Sequence, residues 1–344
     1  MSRLRIGLIG TDREALRFYE ANRYGMDVEV TAVCGPTQEE TREFAARKGK
    51  MTLFTRPAEL ASSRDCDAVF VSGACTLTDF RKGEGQEKTG EDEDRYYHRQ
   101  EIIAMMLEAG KHVICKAPLA LTEQETEDLF GMARDRGVIL MECLNTVYTP
   151  AFAKMREQAV HLGTFREAYI HCCHRTPAYE SCKKGGRDDS LAPAMGGGAL
   201  YNYGIHMAAC AVRLFGQPQK VSCLRNIFCG GMEGSAVILL DYPGLQVTLS
   251  CSMMADLAAP SHIMGEEGSM LISSMENVKD LQVYRPMVKQ VFHYEQSDNT
   301  YGPVTQAFAA MVRGEGDPVS ARELSLGAIG ILARALESSK ISEE

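Results

Sequence analysis

Two side chains in this sequence are of a type and in a setting to move a proton. Lys116 closes an apolar strand in GKHVICKAPLALT, Gly110 to Thr122, where Lys-Ala-Pro leads through a turn into a helix start. His206 lies in GGGALYNYGIHMAA, Gly196 to Ala209, and an imidazole serves as general acid or base near neutral pH once a neighbour orients it. A third group, His171-Cys172-Cys173-His174, carries metal-ligating types. Strand alternation sends His171 and Cys173 to one face and Cys172 and His174 to the other, which divides the donors. The segment therefore reads as sheet lining, and no metal is expected. The twelve cysteines include no CxxC pair and several fall in apolar strands, so they read as reduced, buried thiols.

The elements that must position these groups follow two rhythms. In the first half, LRIGLIG, VEVTAVCG, CDAVFVSG, HVIC and VILMEC are near-continuous apolar runs separated by helical stretches such as REALRFYEANRYG and TEQETEDLFGMARDRG. Strands buried on both faces with helices between them imply a Rossmann-like, doubly wound parallel sheet over residues 1–145. After Pro150 the strands lengthen and turn glycines appear, including Tyr242-Pro243-Gly244. That pattern implies a C-terminal α/β domain, residues 146–344, built on a large, mostly antiparallel open sheet, with the last helices returning to the first domain. Val237, Leu239, Val247 and Leu249 are candidates for an apolar outward face that needs cover, so a homodimer or homotetramer is expected. The charged, glycine-rich loop 74–96 leaves the C-terminal edge of the parallel sheet, where such folds bind ligands; it is either a lid or partner contact, or a solvated excursion.

Composition narrows the class. The chain has 344 residues, is 24% charged and carries a net charge of −9, which disfavours nucleic acid because no cluster of Lys and Arg is present to neutralise phosphates. No apolar run approaches the ~20 residues needed to span a bilayer, and the N-terminus enters a strand too quickly for a signal peptide. A cytoplasmic protein acting on small molecules is expected.

Four segments in order, RIGLIGTDREA, EAGKHVICKAPLALTEQE, RDDSLAPAMGGGALYNYGIHMAACAVRLFG and HIMGEEGSMLI, resemble the Gfo/Idh/MocA family of nicotinamide-dependent oxidoreductases, and the resemblance runs from Arg5 to about Ser338. It implies NAD or NADP as cofactor, a sugar, polyol or related molecule as substrate, and an open sheet often used for oligomerisation. It places Gly10, Thr11, Asp12, Ala15, Ser72 and Pro118 at the cofactor and His206 and Asn202 at the catalytic centre, which Lys116 reaches only if its turn is remodelled.

The functional positions depart from the family pattern almost one by one. Asp12 stands where the second glycine of the dinucleotide turn lets backbone approach the diphosphate, and Gly35-Pro36 stands where an acid would hold the ribose. Ala117 occupies the place of the catalytic lysine that precedes the proline. Lys116, one residue early, is expected to turn to the other face and to serve local acids or helix ends. Asn202 and Ala209 replace two aspartates, and Val147 an arginine. Three readings follow: a divergent oxidoreductase with weak dinucleotide binding, a ligand-binding or accessory subunit without hydride transfer, and a non-redox enzyme using His206 as acid or base.

Overall fold

The structure is a computed structural model that describes residues 3–46, 48–72, 99–186, 196–228, 231–295 and 298–343. The loop 74–96 lies outside the described residues. The chain forms two compact units: the first is Met1–Ala120, Gln124–Cys143 and Tyr301–Arg322, the second Leu121–Glu123, Leu144–Thr300 and Glu323–Glu344.

The first unit is built on six parallel strands, β1 (Leu4–Ile9), β2 (Val28–Cys34), β3 (Thr52–Phe54), β4 (Ala68–Val71), β5 (His112–Lys116) and β6 (Leu140–Cys143), in the order β3-β2-β1-β4-β5-β6. Helices α1 (Arg13–Asn22), α2 (Gln38–Ala46), α3 (Pro57–Ser62), α4 (Arg99–Glu108) and α5 (Glu123–Arg136) connect or follow these strands. All four residues of β4 are buried, as a strand covered on both faces requires. On one face Val69, Val71, Val113 and Cys115 join Leu60 of α3 and Ile102, Ile103 and Met106 of α4. On the other, Phe70 stacks on Phe18 of α1 with ring centroids 4.0 Å apart. Tyr301, which opens α9 (Tyr301–Val312), meets both rings edge-on and donates to Glu14 Oε2 at 2.7 Å. Because Cys115 faces α3 and α4, alternation turns Lys116 to the α1 and α9 face.

His112, at the start of β5, accepts a hydrogen bond from the Ile139 N–H through Nδ1 at 2.9 Å, and burial holds its pKa below the ordinary 6.5. The folded chain thus keeps it neutral where the unfolded chain protonates it. Its contribution is complete above 6.5 and is lost as pH falls below that value. Urea midpoints measured from about pH 7.5 to 5.5 should fall more for the wild type than for His112→Asn.

The second unit carries nine strands: β7 (Phe165–Cys173), β8 (Lys220–Phe228), β9 (Met232–Tyr242), β10 (Leu245–Ser252), β11 (Ser261–Gly265), β12 (Gly268–Ile272), β13 (Asp280–Arg285), β14 (Val288–His293) and β15 (Lys340–Glu343). Their order is β14-β13-β12-β11-β7-β10-β9-β8-β15, antiparallel except for the β7/β10 and β8/β15 pairs. Helices α6 (Pro150–Ala159), α7 (Pro177–Lys183), α8 (Ile205–Phe215) and most of α10 (Pro318–Ser338) belong to this unit. A π-helical turn, Leu200–Gly204, runs directly into α8, and both lie against β10.

The register corrects the expected outward face. Val247 pairs with Leu240 and Leu249 with Ile238, and paired residues share a face. Val247 and Leu249 are therefore buried, at 1% and 0% exposure, while Val237 and Leu239 stand on the opposite face at 39% and 53%. Leu224, the β8 partner of Val237, extends that open face and is 60% exposed. Among the described residues no helix is long and apolar enough to cross a membrane.

Candidate active site

The parallel sheet reverses its winding between β1 and β4, and the crevice outside the strand ends at such a point is where these folds take ligands. Gly10 leaves β1 with φ 113°, a backbone conformation that glycine adopts without strain. The next residues form the start of α1, and Asp12 is its N-cap. The Ala15 N–H donates to Asp12 Oδ1 at 2.8 Å, and the buried Ser72 hydroxyl, at the end of β4, donates to Oδ2 at 3.0 Å. A helix N-terminus is a ready seat for a phosphate because its N–H groups are unsatisfied and its dipole favours negative charge. Here the chain supplies the negative charge itself.

A second constraint closes the end of β2. A Cβ on Gly35 would lie 2.4 Å from Thr41 Oγ1 and 2.7 Å from Thr11 Cγ2, so no side chain fits there without displacing both threonines. Gly35→Asp, which would reinstate a ribose-binding acid, is expected to destabilise the chain by about 1–3 kcal/mol and not to improve dinucleotide binding. Thermal melts with and without NAD or NADP check both parts. The glycine turn and sheet edge thus fit a dinucleotide, whereas the diphosphate seat and the ribose position do not take their usual form.

The turn after β5 is firmly held. Arg99, at the start of α4, donates from one guanidinium nitrogen to the Lys116 carbonyl at 2.9 Å and to the Pro118 carbonyl. The buried Glu142 carboxylate accepts from the Leu119 N–H at 2.8 Å. Ala117, at the lysine position of the family pattern, is buried. Burial, with the Arg99 charge second, holds the Lys116 pKa below its ordinary value, against the opposing pull of Glu14 and Asp12. Direct hydrogen bonds and ion pairs to its amine are absent among the described residues. Lys116 thus stands on the α1 face, one residue before Ala117. Lys116→Ala should leave turnover within about threefold, well under the ~1.4 kcal/mol of a tenfold change. A loss of two orders of magnitude with the fold intact would make it the catalytic lysine.

In the second unit, Asn202 and His206 sit on one continuous helical path that follows the glycine segment. Gly196 and Gly198 have φ 69° and 104°, and a Cβ on Gly198 would come within 3.0 Å of Glu233. The chain then enters the π-helical turn, a widened geometry frequent at functional sites. The buried Glu233 carboxylate holds this entrance by accepting from the Leu200 N–H at 2.6 Å, with Arg225 3.4 Å from its other oxygen. Burial raises the Glu233 pKa, against the Leu200 hydrogen bond and the Arg225 charge. Asn202 turns its amide back on the chain and donates to the Gly198 carbonyl at 2.9 Å. His206 follows in the first turn of α8, half-buried, and Ala209 beyond it is fully buried. Tyr201 donates to the Leu121 carbonyl at 3.2 Å. Thus Asn202 and His206 fall in the second unit, while Gly10, Thr11, Asp12, Ala15, Ser72, Lys116 and Pro118 belong to the first.

One cluster was not legible as a unit. Cys172 and His174 share a face, as alternation requires, and Glu276, from the loop between β12 and β13, joins them. The three donor atoms lie within 4.8 Å of one another, with His174 Nε2 and Glu276 Oε2 2.8 Å apart. Tyr203 of the π-helical turn sets its ring edge-on to the His174 imidazole at 6.3 Å. Burial raises the Tyr203 pKa, with Cys172 and Glu276 adding to the shift. Beside His174 an open cleft of about 700 Å³ is lined by Arg175, Thr176, Glu180, Lys184 and Asp256. No sequence signal ties Glu276 to residues a hundred positions earlier; only the fold of the sheet does.

Comparison with known proteins agrees with this architecture. Residues 4–143 match the family described as "Oxidoreductase family, NAD-binding Rossmann fold", and residues 153–271 match "GFO/IDH/MocA C-terminal domain". The chain is 27% identical over 280 residues to scyllo-inositol 2-dehydrogenase (NADP(+)) IolU of Bacillus subtilis (strain 168), spanning 81% of this chain and 79% of that protein. It is 29% identical over 250 residues to trans-1,2-dihydrobenzene-1,2-diol dehydrogenase of Macaca fascicularis, spanning 70% and 65%. Its fold is similar to the crystal structure of KijD10, a 3-ketoreductase from Actinomadura kijaniata, in complex with NADP and TDP-benzene: the TM-score is 0.80 at 21% identity, with 99% of each chain covered.

Proposed function

From the premise that this chain belongs to the Gfo/Idh/MocA family of oxidoreductases, we propose that it is an NAD- or NADP-dependent oxidoreductase of a hydroxyl-rich small molecule, a sugar, polyol or inositol-like ring. The observation that carries the reading is the survival of the scaffold around the lost side chains: the Gly10 turn at the winding reversal and the Gly198–His206 path both persist. The relatives' printed activities, on an inositol and on a cyclic diol, favour a ring bearing adjacent hydroxyls.

When bound, the nicotinamide would supply the hydride acceptor or donor. The chain's part is to bind, orient and move a proton. The backbone at Gly10 and Thr11 holds the dinucleotide without help from the end of β2, so its affinity is low. His206 exchanges the proton of the reacting hydroxyl, the task for which Ala117 has no group, and Asn202 braces the turn that leads to it. Thermal-shift titrations with NAD, NADH, NADP and NADPH test the cofactor, since a ligand of the folded state raises its midpoint by mass action. Absorbance assays with inositols and sugars then test the substrate. No shift and no turnover with any pair would reject the reading.

The open face of Leu224, Val237 and Leu239 supports a homodimer or homotetramer formed through the nine-stranded sheet. Light scattering at micromolar concentration should give a multiple of the 37.9 kDa chain mass, and Leu239→Arg should lower it. A wild-type monomer would count against the proposal. A second reading, a ligand-binding or accessory subunit without hydride transfer, is favoured by the Asp12 carboxylate at the α1 N-terminus together with the buried Ala117.

A further inference from the structure

We propose that Cys172, His174 and Glu276 form a binding site for a zinc-type divalent cation. The inference stands apart from the dinucleotide chemistry, since it rests on side chains of the second unit alone. Three donors of different kinds converge there: a buried thiol, an imidazole and a carboxylate, all within 4.8 Å of one another. In a tetrahedral site with metal–ligand bonds of ~2.0–2.3 Å, neighbouring donors are about 3.3–3.7 Å apart. The cluster brackets that spacing: His174 Nε2 and Glu276 Oε2, 2.8 Å apart, would separate slightly, and no donor pair exceeds 4.8 Å.

The chemistry of the donors selects the ion. Magnesium and calcium take oxygen ligands, whereas a thiolate with an imidazole suits zinc or its cobalt and iron neighbours. Three protein ligands leave a fourth position for water or a substrate oxygen, the arrangement of open rather than closed zinc sites. Access exists from one side: Cys172 is buried, but His174 and Glu276 are about half exposed. Asp256 Oδ1, held by the Arg175 N–H at 3.0 Å, lies 3.9 Å from His174 Nδ1, too far for a hydrogen bond but near enough to add negative charge beside the imidazole. An ion here would lie beside Tyr203, on the turn that carries Asn202 and leads to His206.

Charge and sequence position fit the same picture. β7 sets Cys172 beside Cys251 of β10, the strand on which the π-helical turn lies, and His174 follows just beyond the strand end with its N–H donating to the Ser252 carbonyl at 2.9 Å. His171, on the opposite face, bonds instead through Nε2 to the Ala259 carbonyl at 2.6 Å and takes no part.

The test uses the full chain, stripped with a chelator and titrated with Zn2+ against a chromophoric competitor, and separately with Co2+. Expected are one Zn2+ per chain with a Kd at or below about 1 μM, and a thiolate-to-cobalt charge-transfer band in the Co2+ form. His174→Ala and Cys172→Ser should each weaken Zn2+ binding by more than about 100-fold, and Glu276→Gln by at least about tenfold. His174 is half exposed, so its variant keeps the proposal testable even where the buried Cys172→Ser fails to fold. Zinc at well below one equivalent would overturn the site. So would stoichiometric zinc that His174→Ala, with an unchanged circular dichroism spectrum, leaves in place.

Discussion

Replacing His206 with alanine should lower turnover by about a hundredfold or more while leaving the thermal midpoint within a few degrees, because a positioned general acid or base contributes about 10²–10⁴-fold. Oxidation of an alcohol releases two things, a hydride to the nicotinamide and a proton that some side chain must accept. The buried Ala117 accepts nothing, and Lys116 leaves β5 on the α1 face. His206 is the imidazole on the Gly198–α8 path, half-buried and held by the helix that carries it. In the oxidation direction it acts as the base that accepts the hydroxyl proton. Added imidazole should restore part of the lost rate, which a merely structural histidine would not allow. A variant within threefold of wild type across the pH range would remove His206 from the chemistry.

The fold was readable because its signals are local and repeated. The apolar runs of β1, β4 and β5, with a helix between successive strands, allow little but a parallel sheet covered on both faces. In the second unit the strands were legible, but which face of each points outward was not. The sequence pattern made Val247 and Leu249 look equivalent to Val237 and Leu239; the β9/β10 register separates them, and register depends on pairing between strands. The candidate site divides along the same line. Gly10, Asp12, Asn202 and His206 stand in contiguous motifs and could be picked out by position. Ser72 as the donor to Asp12 and Glu233 as the brace of the π-helical turn are contacts across 60 and 33 residues. Glu276 beside Cys172 and His174 is of the same kind: its neighbours come from another strand, and nothing in its own segment marks it.

Asp12→Gly should tighten NAD or NADP binding by about tenfold or more, from a wild-type Kd weaker than ~0.1 mM. The reasoning starts from the charge at the α1 N-terminus. Two unit charges 4 Å apart at an effective dielectric constant of 20 interact by about 4 kcal/mol, and salt and solvent reduce that figure near a surface. Even a third of it is close to the 1.4 kcal/mol of a tenfold change. Asp12 Oδ1 and Oδ2 are engaged by Ala15 and Ser72, so the carboxylate does not simply swing aside for a diphosphate; it would first have to surrender both hydrogen bonds. Glycine removes the charge and the bulk together, and at an N-cap it costs the helix only a few tenths of a kcal/mol relative to aspartate. Asp12→Asn separates the two effects, since it keeps a capping oxygen and the volume but discards the charge, and should give an intermediate gain. Calorimetric titration of the three proteins decides the matter. If neither variant binds more tightly than wild type, the weakness lies elsewhere, at the closed end of β2 where Gly35 meets Thr11 and Thr41.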